Sequence, residues 1–268
     1  MMNEDPTILS IGKARKCFND ELHSKAYALV HADNEQLQGL LSFLAPKNEQ
    51  VFLDLGTGNG YVGMSLAQQF PGCSVIGLDI AERALQQNVD KAKEEELVNI
   101  RFQSFDGIAL PLADGYLDGL ICRYAFHHFP EYEKMLHEIS RTVRAEGRFV
   151  LSDPVKHEMD TADFINSFQA LKQDGHVKIH KRHEFLELVE RYGFEVLDSF
   201  DSTISFSRNR RLEYDKLLDS TPPSVLDAYR IKKDEKQIWI TFEVMNLVFQ
   251  KNQGDPNGMQ TDARTSCR

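Results

Sequence analysis

The segment Asp54-Leu55-Gly56-Thr57-Gly58-Asn59-Gly60 joins a carboxylate to three alternating glycines. Glycines let backbone pass close to a ligand, with positive φ where the turn needs it. The exposed amides of Gly56, Gly58 and Gly60, and of a helix starting behind them, can then face an anion. Asp54 beside them suits a cation. Asp79, 21 residues beyond Gly58, offers two acceptor oxygens to a pair of hydroxyls, or caps a helix. In Cys122-Arg123-Tyr124-Ala125-Phe126-His127-His128-Phe129-Pro130 two imidazoles are adjacent. A neutral imidazole can take a proton near pH 7, and packing or capping the next helix is the competing role. Asp106-Gly107 presents either an acid or a turn.

These groups need elements to hold them, and the hydrophobic pattern supplies an alternating series. Residues 13 to 45 carry helical spacing, with Leu37, Leu40, Leu41 and Leu44 as one stripe before Pro46. VFLDLG (51 to 56) is a short buried strand running into the glycines, and YVGMSLAQQF is the helix after them. SVIGLD (74 to 79), NIRFQSF (99 to 105), LDGLICRY (117 to 124) and GRFVLSDP (147 to 154) continue the strands. Between them lie a helix with Ala84, Leu85, Val89 and Ala92 on one face, and another starting near Pro130 and ending before Gly147. Alternation of this kind implies a parallel sheet covered on both faces.

After residue 154 the rhythm changes. A polar helical stretch is expected over 157 to 175, then the helix HEFLELVERYGF and strands at EVLDSFDSTISF and ITFEVMNLVFQ (240 to 250). The intervening 207 to 237 is charged and Pro-interrupted, the pattern of a lid-like insertion. Residues 251 to 268 have little to bury and are expected to be disordered.

The 268 residues are 41% hydrophobic and 27% charged, which excludes a disordered or fibrous chain. A net charge of −10 is a poor match for nucleic acid. Cys17, Cys73, Cys122 and Cys267 form no C-x-x-C pair, so no disulfide framework or thiolate metal site is expected. No run reaches the ~18 apolar residues of a membrane span, and MMNEDPTILS lacks a signal-peptide pattern, so a cytoplasmic protein is expected.

Gly58-Asn59-Gly60-Tyr61-Val62-Gly63 also satisfies the G-x-G-x-x-G fingerprint of dinucleotide folds, with Asp79 near the expected ribose acid. Register opposes that reading, because Asp54 and Gly56 already occupy the strand end and a carboxylate sits badly beside a pyrophosphate. The D-L-G-T-G-N-G motif resembles the first motif of class I S-adenosylmethionine-dependent methyltransferases. The similarity runs in order over residues ~35 to 155 and includes a C-R-x-A-x-H-H-F stretch like that of bacterial small-molecule and quinone-type members. The resemblance implies a Rossmann-like α/β fold with a mainly parallel seven-stranded sheet and helices on both faces. It implies S-adenosyl-L-methionine as cofactor, held by Asp54, Gly56, Thr57, Gly58, Gly60, Asp79, Ile80, Asp106, Gly107 and Arg123. His127 and His128 are the candidate catalytic residues, and transfer to an O, N or C nucleophile of a small molecule is the expected reaction.

Of three weaker patterns, two are read as structural and the third is open. His176, His180 and His183 sit at i, i+4, i+7, but Lys178, Lys181 and Arg182 would repel a metal ion, so no metal is expected. Arg208, Arg210, Arg211, Lys232 and Lys233 read as exposed surface. Phe164, Phe168, Phe185 and Phe206 fit core packing as well as a pocket wall. The expected organisation is a helical segment (1 to 48) covering the site, a methyltransferase domain (49 to 250) and a tail. A nicotinamide-dependent oxidoreductase and a non-catalytic S-adenosylmethionine-binding module are the alternatives. The acceptor and the oligomeric state have no sequence signal.

Overall fold

A computed structural model of the chain describes residues 5–20 and 33–253. Part of the expected N-terminal helical run, the tail beyond 253 and Cys267 therefore lie outside the described residues. Helix α1 (Pro6–Phe18) begins where Asp5 accepts the amide of Thr7 and Pro6 fixes φ in the first turn. Helix α2 (Asn34–Leu44) is capped by Asp33, which accepts from the Gln36 amide at 3.0 Å. It stops at Ala45, whose φ of 45° is left-handed, just before Pro46.

The alternating series follows: β1 (Val51–Leu55), α3 (Tyr61–Gln69), β2 (Ser74–Asp79), α4 (Glu82–Glu94), β3 (Ile100–Ser104) and β4 (Leu117–Arg123). A 3-10 turn over Phe126–His128 precedes α5 (Tyr132–Thr142) and β5 (Val143–Pro154). Then come α6 (Phe164–Ala170), α7 (Arg182–Glu190), β6 (Phe194–Asn209), α8 (Leu212–Asp219), α9 (Pro223–Ala228), β7 (Lys232–Lys233) and β8 (Gln237–Lys251).

Among the described residues the strands form one sheet in the order β3-β2-β1-β4-β5-β8-β6, and the two-residue β7 pairs with β8 as an eighth. Strands β1 to β5 run parallel, whereas β8 is antiparallel to both β5 and β6. This is the Rossmann-like α/β fold, with the expected seven strands on its main path. The period-two geometry of strands explains the two faces. Phe52, Val75, Ile121, Val150 and Val248 join the α2 leucine stripe and Val62 and Leu66 of α3. Their sequence neighbours Leu53, Ile76, Leu120, Phe149 and Leu247 join Met135, Leu136 and Ile139 of α5 and Phe185, Leu188 and Val189 of α7.

Three boundaries differ from the sequence reading. The polar stretch 157 to 175 is helical only over Phe164–Ala170, where Asp160 accepts the amides of Phe164 and Ile165 at 2.7 and 2.9 Å. Helix α5 ends at Thr142 because β-branched Val143 already pairs with Leu117, and the register then shifts past Glu146 (φ 61°) before Arg148 meets Gly119. Strand β6 extends to Asn209 because its antiparallel ladder with β8 continues to the Asn209–Gln237 pair. Tyr214, Leu218, Val225 and Tyr229 of the following excursion pack on Ile238, Ile240 and Phe242 and on Phe164 and Phe168.

Candidate functional site

The loops after β1, β2, β3 and β4 meet at the carboxyl edge of the sheet, beside the point where the order turns from β1 to β4. Open α/β sheets bind ligands at such a point. A cleft of about 1160 Å³, its mouth included, opens there and is lined by Asp54, Gly56, Thr57, Gly58, Asp79, Ile80, Gly107, Arg123 and His128. Helix α1 contributes Ile11, Ala14 and Phe18 to the wall, and Ala84, Phe105, Phe129 and Pro130 add further apolar surface. None of the residues from 207 to 237 lines it.

The glycine loop is braced by the two acids. Buried Asp54 accepts from Thr57 Oγ1 at 2.6 Å and from the Gly63 amide at 2.8 Å through Oδ2. Burial pushes its carboxyl up to about 6, against the pull of those two hydrogen bonds. Asp79 accepts from the Gly58 amide at 2.8 Å and from the Ala81 amide at 2.9 Å, one on each oxygen. Burial raises its carboxyl as well, opposed by the backbone hydrogen bonds. Each oxygen keeps lone-pair capacity for a further donor. Gly56 has φ +72°, and a Cβ there would stand 2.3 Å from Ala125 Cβ, so glycine is what lets the β1 and β4 loops meet. At Gly58, also at positive φ, a Cβ would find only Gly56 O at 4.0 Å, leaving an open cradle. Two desolvated carboxylates beside open backbone offer acceptors that fit a ligand bearing a cation and hydroxyls.

Three of the sequence candidates lie off the cleft wall. Gly60 starts α3 at φ 77°, packed against Met64 and Asn88. Asp106 is exposed, and its Oδ1 accepts the amides of Ile108 and Ala109 at 2.8 and 2.9 Å, so it shapes the loop that presents Gly107. His127 is buried behind His128, its Nδ1 2.9 Å from Asp153 Oδ1. The ring of His128 lines the cleft, 4.3 Å from that of His127 and edge-on to Phe18 at 5.1 Å. Burial holds its imidazole well below the usual histidine range, as does neighbouring His127.

Arg123 lies between the Tyr61 and Tyr124 rings and donates from Nε to Gln36 Oε1 at 2.8 Å. Gln36, buried on α2, also donates to Tyr124 Oη, Ser202 Oγ and Asn246 Oδ1. No sequence signal marked Gln36 or Asp153, because their partners Arg123 and His127 lie 87 and 26 residues away in the chain. The His176, His180 and His183 series disperses: His176 packs on His127, His180 on Tyr132, and His183 pairs with exposed Glu158. Among the described residues no group of three or more His, Cys, Asp or Glu side chains is arranged to hold a metal ion. Arg210 pairs with Asp215 at 2.9 Å and Lys233 lies 3.8 Å from Asp215 and Asp219, while Arg208 and Arg211 donate to Gln169 Oε1 and the Leu171 carbonyl. Phe164, Phe168, Phe185 and Phe206 are packing residues.

This fold, with its acid-and-glycine loop, defines a class that the comparisons identify. The family model described as a methyltransferase domain matches residues 46–210, and the chain belongs to that family. It is 30% identical over 179 residues to an uncharacterized methyltransferase, YcgJ, of Bacillus subtilis, covering 66% of each chain. It is 37% identical over 107 residues to a demethylmenaquinone methyltransferase of Thermus thermophilus, covering 40% of this chain and 47% of the relative. The matches thus span about half to two-thirds of these relatives' lengths. The crystal structure of the Bacillus YcgJ protein superposes with a TM-score of 0.72 at 21% identity, covering 83% of this chain and all of that one.

Proposed function

We propose that this protein transfers a methyl group from S-adenosylmethionine to an O, N or C nucleophile of a small molecule. The observation that carries this reading is the convergence of Asp54, the glycine loop and Asp79 on one cleft that also reaches His128. The cofactor supplies a methyl group on a positively charged sulfur. The chain's own residues must then hold that group in line with the acceptor and exclude water. Alignment of this kind contributes ~7 to 11 kcal/mol, more than a general base, which adds about 10² to 10⁴ in rate.

Asp54 would answer the ammonium, directly or through water, while the loop amides and the start of α3 would face the carboxylate. Asp79 would take the ribose hydroxyls, and Ile80, Ala84, Phe105 and Gly107 would give the base an apolar slot. Of the two histidines, His128 is assigned to the acceptor side and His127, tied to Asp153, to its support. Helix α1 would roof the cleft. The Thermus relative is named for demethylmenaquinone, and the apolar wall of Phe18, Phe129 and Pro130 supports an acceptor with apolar character. The net charge of −10 favours such a molecule over nucleic acid. No helix among the described residues is long and apolar enough to cross a membrane, and we assign the protein to the cytoplasm.

The same site opposes a nicotinamide cofactor, since a pyrophosphate on the loop would meet the Asp54 carboxylate. Thermal unfolding with S-adenosylmethionine, S-adenosylhomocysteine, NAD and NADP separates the two. A ligand at 100 times its Kd adds about 2.7 kcal/mol of stability. A rise in Tm with the first two alone is expected, and a rise with a nicotinamide cofactor alone would overturn the assignment.

A further inference from the structure

Behind His128 lies a buried cluster of charged and titratable groups that the cofactor does not require. The loop after α6 folds over the histidine pair: the amides of Val177 and Lys178 donate to His127 O at 2.9 and 3.2 Å. This brings in His176, whose ring lies 5.7 Å from His127 and 6.3 Å from His128. It also brings in Asp174, 3% exposed, which accepts the His176 amide at 3.2 Å and pairs with Lys172 Nζ at 2.5 Å. From β5, Asp153 pairs with His127. From α1, Cys17 faces Lys172 and Asp174, with Asp20 nearby, and Asp163 faces His176.

The tautomer of His176 follows from its partner. Asn166 directs Nδ2 to Asp163 Oδ1 and the Ile179 carbonyl, and its Oδ1 accepts the Ile179 amide, so that Oδ1 can only accept from His176 Nε2 at 2.9 Å. Among the described residues, the buried Nδ1 atoms of His128 and His176 meet no hydrogen-bond partner. Asp163 is paired with Lys156 at 2.5 Å, so with the three imidazoles neutral the buried acids of this cluster among the described residues are Asp153 and Asp174, with Lys172 beside Asp174. Asp174 stays ionised: burial opposes it, but positive charge on His128 and His127 when those rings are protonated, and Lys172 at 2.5 Å in either state, hold its carboxyl below the usual range.

We infer that this cluster receives the proton displaced by methyl transfer, with Asp174 as the positioning residue that stabilises the positive charge on the His127–His128 pair. The inference rests on the methyltransferase reading. The bond from the acceptor atom to the methyl carbon forms as the carbon–sulfur bond breaks. The bonding pair stays on sulfur, and the acceptor's proton passes to an imidazole nitrogen. The substrate class is accordingly one that carries a proton on the methylated atom, such as a hydroxyl, N–H amine or activated ring C–H. Carboxylates and tertiary amines have no proton there to give.

The test is an NMR titration of the histidine rings in the ligand-free full-length protein, reading the pH at which the His128 ring takes up a proton. Asp174→Asn should shift that midpoint down by about 1 unit, the size expected for removing a nearby opposite charge. Lys172→Met should shift it up, and Asp174→Glu should restore it. A general loosening of the loop would not produce shifts of opposite sign. Unchanged midpoints, or shifts of the same sign in Asp174→Asn and Lys172→Met, would overturn the inference. If Asp174→Asn fails to fold, Asp174→Ser is read in its place, with the same downward shift expected. Calorimetry with S-adenosylhomocysteine on the wild type separates the two levels, since absent binding defeats the methyltransferase reading whatever the histidines do.

Discussion

Asp54→Asn tests whether the acid under the glycine loop is held there at the expense of stability. The substitution is close to isosteric: with its amide oxygen in the place of Oδ2, asparagine can still accept from both the Gly63 amide and Thr57 Oγ1, which Asp54 now binds at 2.8 and 2.6 Å. What disappears is the charge. Burial lifts the folded-state carboxyl to about 6 from the ordinary 3.8. Between these values the folded state binds more protons than the unfolded one, so this group's stabilising contribution is complete below pH 3.8 and is lost as pH rises through 6. A shift of this size corresponds to about 3 kcal/mol in full, of which about 2 kcal/mol falls between pH 4.5 and 8.

The assay is urea unfolding of both proteins at those two pH values. The stability of Asp54→Asn relative to wild type should rise by about 2 kcal/mol from the lower pH to the higher. Wild-type affinity for S-adenosylhomocysteine should also rise over this window, because a ligand ammonium pulls the carboxyl back down, and the variant should lose that dependence. A stability difference that does not change with pH would refute the reasoning.

Other substitutions probe the remaining contacts. Gly56→Ala, which forces a Cβ against Ala125 at positive φ, should lower stability by about 2 to 5 kcal/mol in thermal unfolding; a shift in Tm of under a degree would contradict the close approach. Asp79→Asn should weaken S-adenosylhomocysteine about 10- to 100-fold by calorimetry, as charged hydrogen bonds are replaced; unchanged affinity would remove Asp79 from the ligand contacts. His127→Ala leaves Asp153 buried without its partner and should cost about 3 to 5 kcal/mol of stability in urea. His128→Ala should cost less stability and, once an acceptor is found, more turnover. Equal unfolding midpoints in the two variants would show that the pair does not divide these roles.

The sheet and the glycine loop were legible because their signals are local. An apolar run ending in Asp54 and three glycines can be read within ten residues, and the leucine stripe of α2 within eleven. The ladder between β6 and β8 was legible only in part. Residues 207 to 209 look like insertion until Gln237, Ile238 and Trp239 are found opposite them. The histidine pair was found, but its division of labour was not, because Asp153 reaches His127 from 26 residues away. Asp174 and His176 sit in a polar loop that gains meaning only when it folds over His127. Asp106 shows the reverse: the acid was visible, and its turn-forming role follows from hydrogen bonds to residues two and three positions on.

The central claim is tested most directly by a crystal structure with S-adenosylhomocysteine bound. The account predicts ribose hydroxyls on the Asp79 carboxylate, the amino acid end along Asp54 and the glycine loop, and the sulfur facing the side of the cleft that His128 lines. A ligand bound outside this cleft, or one whose sulfur faces away from His128 and is closed off from any acceptor, would contradict it.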